Sequence, residues 1–177
     1  MNDAPNPSLI PILIAPHPVL KRPARKVLSA DADLVRELIP QMFAAMYDAP
    51  GIGLAAPQVG HSLRMAVIDL TRDDVRDPLV LINPEIIARS TDMATREEGC
   101  LSLPRQFADV TRPAKVKVRY EDAQGIKREI EADELLATCL QHEIDHLDGI
   151  LFVDHISALK RNILMRKLAK EMRAKGT

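Results

Sequence analysis

The chain has 177 residues, of which 46% are hydrophobic, so it can bury a core, and one domain over residues 1–177 is expected. Its formal net charge of −1 excludes a general attraction to nucleic acid, and no specific DNA partner is expected. Two cysteines are too few for a disulfide framework, and no apolar run is long enough to span a bilayer. We therefore expect a cytoplasmic protein without a membrane partner.

Residues 1–23 are rich in proline and are expected to be extended. Their start, MNDAPNPS, lacks the basic residues that begin a secretory signal. From Ser29, a residue type that favours helix N-caps, apolar residues recur at helical spacing and predict a helix as far as about Tyr47. Pro40 lies inside this pattern, so we expect the helix to be kinked or divided there.

Residues 51–60, GIGLAAPQVG, are nearly all small. A glycine pair after a helix usually forms a turn, and no Gly-Lys-Ser/Thr follows that would indicate a phosphate loop. The alternative is a wall of small side chains that lets the backbone of a substrate come close, with Gln58 offering an amide hydrogen bond.

Short apolar runs after this segment predict strands. Residues 64–70 and 79–82 are interpreted as two strands, and residues 86–90 form a further strand after a break at Asn83-Pro84. Residues 115–121 and 126–132 alternate apolar with charged side chains, which predicts an antiparallel hairpin.

The hairpin leads into residues 141–149, QHEIDHLDG, which contain an H-E-x-x-H pattern. Leucines around it recur at helical spacing without Pro or Gly until Gly149, so the motif is predicted to lie on a helix. His142 and His146 then share one face, where two imidazoles can bind one metal ion, and Glu143 can reach a water on that ion. Paired histidines on a helix are often only packed or solvated, however, and a metal site needs a third ligand.

Cys100, in EGCLS at 98–102, is the best soft ligand available to complete the pair. A lone cysteine is more often a small buried residue, and Cys139 is interpreted as a core residue in this way. Three protein ligands would leave a fourth tetrahedral position for water, as catalysis requires.

Ser157 is predicted to cap a last helix, and the apolar positions of that helix are Leu159, Ile163, Leu164, Leu168 and Met172. From Ile156 onward there are seven Lys or Arg residues against Glu171 alone, so residues 160–177 form a basic C-terminal helix. Such a charge run is either a solvated face or a surface for docking on ribosomal RNA. Together the elements predict an α+β fold with mixed or antiparallel sheets packed around a central H-E-x-x-H helix, with a C-terminal helix.

Three stretches resemble, in order and spacing, the signature motifs of the peptide deformylases: GIGLAAPQ at 51–58, EGCLS at 98–102 and QHEIDHLDG at 141–149. These enzymes are metallohydrolases that remove the N-formyl group from the initiator methionine of nascent bacterial proteins and release formate. The resemblance covers roughly residues 8–155 and is strongest to the bacterial type with a helical C-terminus.

The resemblance implies one divalent metal ion, ferrous iron in the cell, for which zinc, nickel or cobalt can substitute. Glu143 is implied as the catalytic acid and base, and Gln58 and the backbone N–H of Leu101 as donors to the formyl oxygen. The implied metal ligands are Cys100, His142 and His146.

The implied substrates are N-formylmethionyl nascent peptides. By position, Ile52, Leu135 and Cys139 are candidates for the pocket of the methionine side chain. Backbone groups near Gly53 are expected to pair with the peptide as an added strand.

Glu98 and Asp145 are expected to hold loops and ligands through hydrogen bonds, with Arg112 as a partner for either. Two other functions remain open from the residues alone. A zinc peptidase of another class shares H-E-x-x-H, although its third ligand would normally lie downstream as Glu or His. A non-catalytic protein in which a metal ion only stabilises the fold would need a fourth protein ligand, which is not evident.

Overall fold

The computed structural model describes residues 8–176, so the first seven residues of the predicted extended segment lie outside the described part of the chain. The helices are α1 (Ala32–Asp48), α2 (Glu134–Leu147) and α3 (Ala158–Ala174). The strands are β1 (Gly53–Ala55), β2 (Met65–Ile68), β3 (Leu79–Arg89), β4 (Met93–Cys100), β5 (Leu103–Pro113), β6 (Val116–Glu121) and β7 (Lys127–Ala132).

Five strands form one antiparallel sheet in the order β1-β2-β3-β6-β7, while β4 and β5 form a separate antiparallel pair. Strands β6 and β7 are the hairpin that the alternating pattern predicts. The expected α+β class, with antiparallel sheets and a C-terminal helix, is confirmed.

Helix α1 runs through Pro40 as one helix, so of the two expected outcomes, a kink or a division, the division is wrong. Proline removes the hydrogen bond to the carbonyl group of Arg36, but both residues are exposed, so this carbonyl group lies on the solvent side. The opposite face packs into the core through Leu38, Met42 and Met46, which stabilises the helix across the proline.

Strand β3 continues across Asn83-Pro84, where a break between two strands is expected from the sequence. Asn83 has a φ of +50°, and the register with β6 shifts at this point. The side chain of Asn83 donates to the carbonyl oxygen of Val27 and accepts from its N–H, at 3.0 and 2.8 Å. These long-range hydrogen bonds hold the irregular residue inside the strand.

Strands β4 and β5, which carry the EGCLS motif between them, are not predicted from the sequence. Strand β4 reads MATREEGC, and its four consecutive polar residues, 95–98, interrupt the apolar alternation that marks a strand. Its pairing with β5 supplies the stability that its local sequence does not.

Helix α2 packs its apolar face on the five-stranded sheet through Ala137, Leu140 and Ile144, and Leu147 forms a small buried cluster with Ala55 and Ala66. The remaining face, which carries the two histidines, is directed away from this core. The sheet therefore fixes the position of the helix that carries two of the candidate ligands.

Helix α3 begins at the predicted cap, where the Ser157 hydroxyl accepts a hydrogen bond from the N–H of Lys160. Leu168 is buried in a core formed with β5 and Phe152. Two of its five apolar positions, Leu159 and Ile163, are 72% and 54% exposed.

The turn that ends α2 yields a prediction about folding stability. Gly149 has a φ of +75°, and an added Cβ would lie 2.7 Å from the carbonyl oxygen of Lys21. Gly125 has a φ of +77° with nothing within 4 Å, so it is a matched control. We expect Gly125→Ala to lower the free energy of unfolding by about 1 kcal/mol and Gly149→Ala by about 3 kcal/mol. Urea unfolding of the metal-loaded protein measures both, and equal losses would contradict the role given to the close backbone.

Candidate metal centre

Three side chains that can ligate metal lie together at the end of β4 and along α2. They are Cys100, His142 and His146, and their ligand atoms all lie within 4.8 Å of one another. The Sγ of Cys100 is 3.4 Å from Nε2 of His146, and the two imidazole centroids are 5.0 Å apart. A thiolate and two imidazoles at this spacing fit a divalent transition metal, and three protein ligands leave a fourth tetrahedral position open.

A buried carboxylate sets the orientation of His142. Oε1 of Glu98 lies 3.0 Å from Nδ1 of His142, which leaves Nε2 for the cluster. Arg112 donates to both oxygens of Glu98, at 2.7 and 2.9 Å, and to Asp145 at 2.8 Å. Burial opposes ionisation of Glu98, but the hydrogen bonds from His142 and Arg112 outweigh it and hold the pKa of Glu98 below its ordinary value. Arg112 therefore pairs with both Glu98 and Asp145, each of which was expected as a partner from the sequence.

Glu143 lies beside His142 on α2, and its side chain is buried. Its Oε2 has no hydrogen-bond partner among residues 8–176, and its Oε1 would lie 2.4 Å from a Cβ added at Gly53. Burial raises the pKa of Glu143 to about 7. A carboxyl group with this pKa can both accept and return a proton near neutral pH.

The buried side chain of Gln58 reaches the cluster from the short 3₁₀ helix Ala56–Val59. Its Oε1 accepts a hydrogen bond from the Ala55 N–H at 3.0 Å, which turns Nε2 toward the cluster. Nε2 donates to the Ser102 hydroxyl at 3.1 Å and lies 3.5 Å from Sγ of Cys100. The residue between Cys100 and Ser102 is Leu101, so both expected oxyanion donors lie next to the candidate metal ligand.

A cavity of about 520 Å³ opens beside the cluster, and its lining includes Ile52, Gly53, Leu135 and Cys139. Ile52 and Leu135 are 40% and 43% exposed, so they present apolar surface at the cavity. Burial raises the pKa of the Cys139 thiol, which keeps this side chain neutral and apolar. Apolar walls beside a few polar groups are typical of a pocket for an apolar side chain.

Two residues at the cluster carry contacts that the sequence does not indicate. The ring of Phe152 stacks on His142, with centroids 6.2 Å apart and planes at 22°. The buried hydroxyl of Ser102 accepts a hydrogen bond from Gln58. Since neither contact follows a local spacing rule, only the folded chain reveals them.

A family model described as polypeptide deformylase matches residues 9–162 of the chain. The chain belongs to the peptide deformylase family. It is 52% identical to the peptide deformylase of Agrobacterium fabrum over 166 residues, which are 93% of this chain and 97% of the relative. It is also 52% identical to the enzyme of Brucella suis over 164 residues, 92% of this chain and 93% of the relative.

Solved deformylases have the same fold. The crystal structure of the Legionella pneumophila enzyme matches with a TM-score of 0.89 and 45% identity, covering 96% of this chain and 98% of the other. The Synechococcus elongatus deformylase, crystallised with actinonin, matches with a TM-score of 0.85 and 45% identity over 93% of this chain and 89% of the other.

Peptide deformylases are metal-dependent hydrolases that remove the N-formyl group from nascent peptides, and this chain has that function. The interpretation drawn from the three motifs is therefore confirmed, and neither a zinc peptidase of another class nor a metal-stapled protein without activity is favoured. Among residues 8–176, no helix is both long and apolar enough to cross a membrane.

The close approach of Gly53 to Glu143 yields a prediction about catalysis. Gly53→Ala should lower kcat by on the order of 10² or more, because the new Cβ displaces a carboxylate that serves as acid and base. Formate release from formyl-Met-Ala-Ser measures the rate, and the metal content should equal that of the wild type. Gly125→Ala is the control, since Gly125 lies outside the cavity lining and nothing is within 4 Å of its added Cβ. An equal loss in Gly125→Ala would assign the effect to the general cost of replacing a glycine rather than to the contact with Glu143.

Proposed function

We propose that the chain deformylates N-formylmethionyl nascent peptides with one divalent metal ion held by Cys100, His142 and His146. The observation that carries the proposal is the grouping of three ligand atoms within 4.8 Å beside the buried carboxylate of Glu143. When bound, the metal lowers the pKa of a water molecule and polarises the formyl oxygen. Ferrous iron is the proposed metal in the cell, and zinc, nickel or cobalt can take its place because a Cys/His₂ set accepts each of them.

Glu143 is the proton carrier in this proposal. Its carboxylate takes a proton from the attacking water and delivers it to the amine that leaves. Cleavage of the formyl C–N bond then gives formate and a free N-terminus. Its buried Oε2 has no hydrogen-bond partner among residues 8–176, which leaves the carboxylate available for both halves of this transfer.

Gln58 and Leu101 stabilise the negative charge that develops on the formyl oxygen. The Gln58 amide is held in place before substrate arrives, because its Oε1 is bound to the Ala55 N–H. The second donor is the backbone N–H of Leu101. A preorganised donor of this kind contributes on the order of 10² to 10³ in rate in comparable sites.

The cavity beside the cluster takes the methionine side chain against Ile52, Leu135 and Cys139. Strand β1 lies at the edge of the five-stranded sheet, where it pairs with β2, and Gly53 lines the same cavity. The backbone of the substrate adds to this edge as a further strand. Main-chain pairing fixes the peptide independently of its sequence after methionine.

A substitution of Glu143 tests the function and the role of this residue together. Glu143→Gln keeps the size of the side chain but cannot carry a proton, so formate release from formyl-Met-Ala-Ser should fall by about 10³-fold. Glu134→Gln on the same helix is the control and should keep wild-type activity. Both proteins are purified anaerobically and compared at equal metal content. A metal-loaded wild type that releases no formate would refute the function, and an active Glu143→Gln would refute the role.

The protein is proposed to work in the cytoplasm, with α3 docking on ribosomal RNA near the exit of the nascent chain. Seven Lys or Arg residues against Glu171 alone follow Ile156, and the exposed side chains of Arg166, Lys170 and Arg173 recur on one face of the helix. A row of cations of this kind matches a phosphate backbone. The proposed partners include neither a membrane nor a specific DNA site.

Charge reversal on this face tests the docking. Removing residues 160–177 would delete the buried Leu168, so the variant Arg166→Glu/Lys170→Glu/Arg173→Glu changes only exposed positions. We expect its affinity for ribosomes to fall at least about tenfold in co-sedimentation, with unchanged activity on formyl-Met-Ala-Ser. The control makes the same change of net charge at exposed sites elsewhere, Arg36→Glu/Lys115→Glu/Lys127→Glu. Equal losses in both variants would mean that only net charge matters.

A further inference from the structure

The short 3₁₀ helix Phe152–His155 contacts α2 at a point that the proposed mechanism does not use. Nε2 of His155 lies 2.7 Å from Oδ2 of Asp145. Since a carboxylate only accepts hydrogen bonds, His155 carries a proton on Nε2 and donates it. Nη1 of Arg112 lies 3.5 Å from the same nitrogen, but both groups are donors, so this contact is not a hydrogen bond.

A continuous path of hydrogen bonds leads from this contact to His142. Nη1 of Arg112 donates to the same Oδ2 of Asp145 at 2.8 Å, while its Nε and Nη2 donate to Glu98 at 2.7 and 2.9 Å. Oε1 of Glu98 then meets Nδ1 of His142 at 3.0 Å. The side chains of Glu98 and Arg112 are 4% and 6% exposed, whereas those of Asp145 and His155 are 19% and 35% exposed. His155 is therefore the outermost member of the path.

Arg112 divides its donors between two carboxylates, and Asp145 is the one that water can reach. The hydrogen bond from His155 holds Oδ2 of Asp145 in place. Asp145 in turn holds the Arg112 guanidinium so that its Nε and Nη2 donate to Glu98. The other imidazole of the cluster lacks such support, because the buried Nδ1 of His146 has no protein partner among residues 8–176. The orientation of the imidazole pair thus depends on the path through Glu98.

We propose that His155 is a positioning residue of the metal centre, which holds His142 in ligand geometry through Asp145, Arg112 and Glu98. The inference rests on the metal ligands named in the proposed function. Loss of a partner that directly orients a metal ligand typically changes metal affinity or activity by about 10- to 100-fold. His155 acts through three intervening residues, so we expect an effect of about three- to tenfold.

The test compares zinc-loaded wild type with His155→Phe, His155→Ala and His155→Gln. Glutamine places an amide N–H near the position of Nε2, whereas phenylalanine and alanine cannot donate. Asp154→Ala is the matched control, because Asp154 lies in the same 3₁₀ helix, accepts from the Leu151 N–H and pairs with Lys21, outside the path. Each protein is measured for the rate of Zn²⁺ release to excess chromophoric chelator, for kcat and KM of formate release, and for the free energy of unfolding.

Zinc release about three- to tenfold faster in His155→Phe and His155→Ala, with a lower kcat at unchanged KM, is the expected result. His155→Gln and Asp154→Ala should behave as the wild type. The proposal would be overturned if both His155→Phe and His155→Ala released zinc at the wild-type rate. It would also be overturned if His155→Gln released zinc as fast as the accelerated Phe and Ala variants. Equal acceleration in Asp154→Ala would also overturn it, since local stability would then explain the effect. Formate release by the wild type tests the proposed function separately, because zinc release does not depend on deformylation.

Discussion

The buried ion pair between Glu98 and Arg112 is the interaction on which the rest of the site depends. It joins β4 to β5, and the remaining donors and acceptors of the pair connect this sheet to α2 through His142 and Asp145. Burying two charges costs solvation free energy. The two parallel hydrogen bonds of the pair offset this cost, because every polar atom of both side chains has a partner. Removing Glu98 would leave the buried guanidinium of Arg112 with Asp145 as its carboxylate partner, and removing Arg112 would leave the buried carboxylate of Glu98 with His142. The pair therefore holds the strand that ends at Cys100 in a defined position relative to the helix that carries both histidines.

Close backbone approach is the second constraint on the site. Gly53 lies so near Glu143 that a side chain at this position would displace the carboxylate, and Gly99 lies in the same way against the ring of Phe107. The glycine at position 53 lets β1 approach α2, and the glycine at position 99 lets the Phe107 ring of β5 lie against β4. The result is a cavity whose polar lining includes the carboxylate of Glu143, the amide of Gln58 and two of the candidate metal ligands, Cys100 and His142, and whose walls are largely apolar. This separation allows an apolar side chain and a hydrolytic reaction to share one small cavity.

The two cysteines show how the fold separates residues of the same type. Cys139 is buried among the apolar residues of α2 and the sheet, and burial raises the pKa of its thiol, so it behaves as a small apolar side chain. Cys100 ends β4 within reach of Nε2 of His146 and of the Gln58 amide. Their positions, not their chemistry, distinguish a packing residue from a candidate ligand.

Local spacing predicted the parts of the site that one element carries by itself. The i and i+4 spacing of His142 and His146 places two imidazoles on one helix face wherever that helix lies, and alternation predicted the β6–β7 hairpin for the same reason. The three motifs, with their order along the chain, also predicted Cys100 as the third residue of the cluster and the family of the protein.

What no local pattern encodes is which distant backbone or side chain lies opposite a residue. The polar strand β4 forms because β5 pairs with it, and β3 continues through Asn83-Pro84 because the backbone of Val27 binds the Asn83 amide. The contact of His155 with Asp145 exists only because the chain turns back along α2 after Gly149. The sequence by itself determined the helices, the hairpin and the chemistry of the ligands. The tertiary structure alone decided which residues support them. Hydrogen bonds between distant segments depend on how the packed elements meet in space, and they produce no periodic pattern in the sequence.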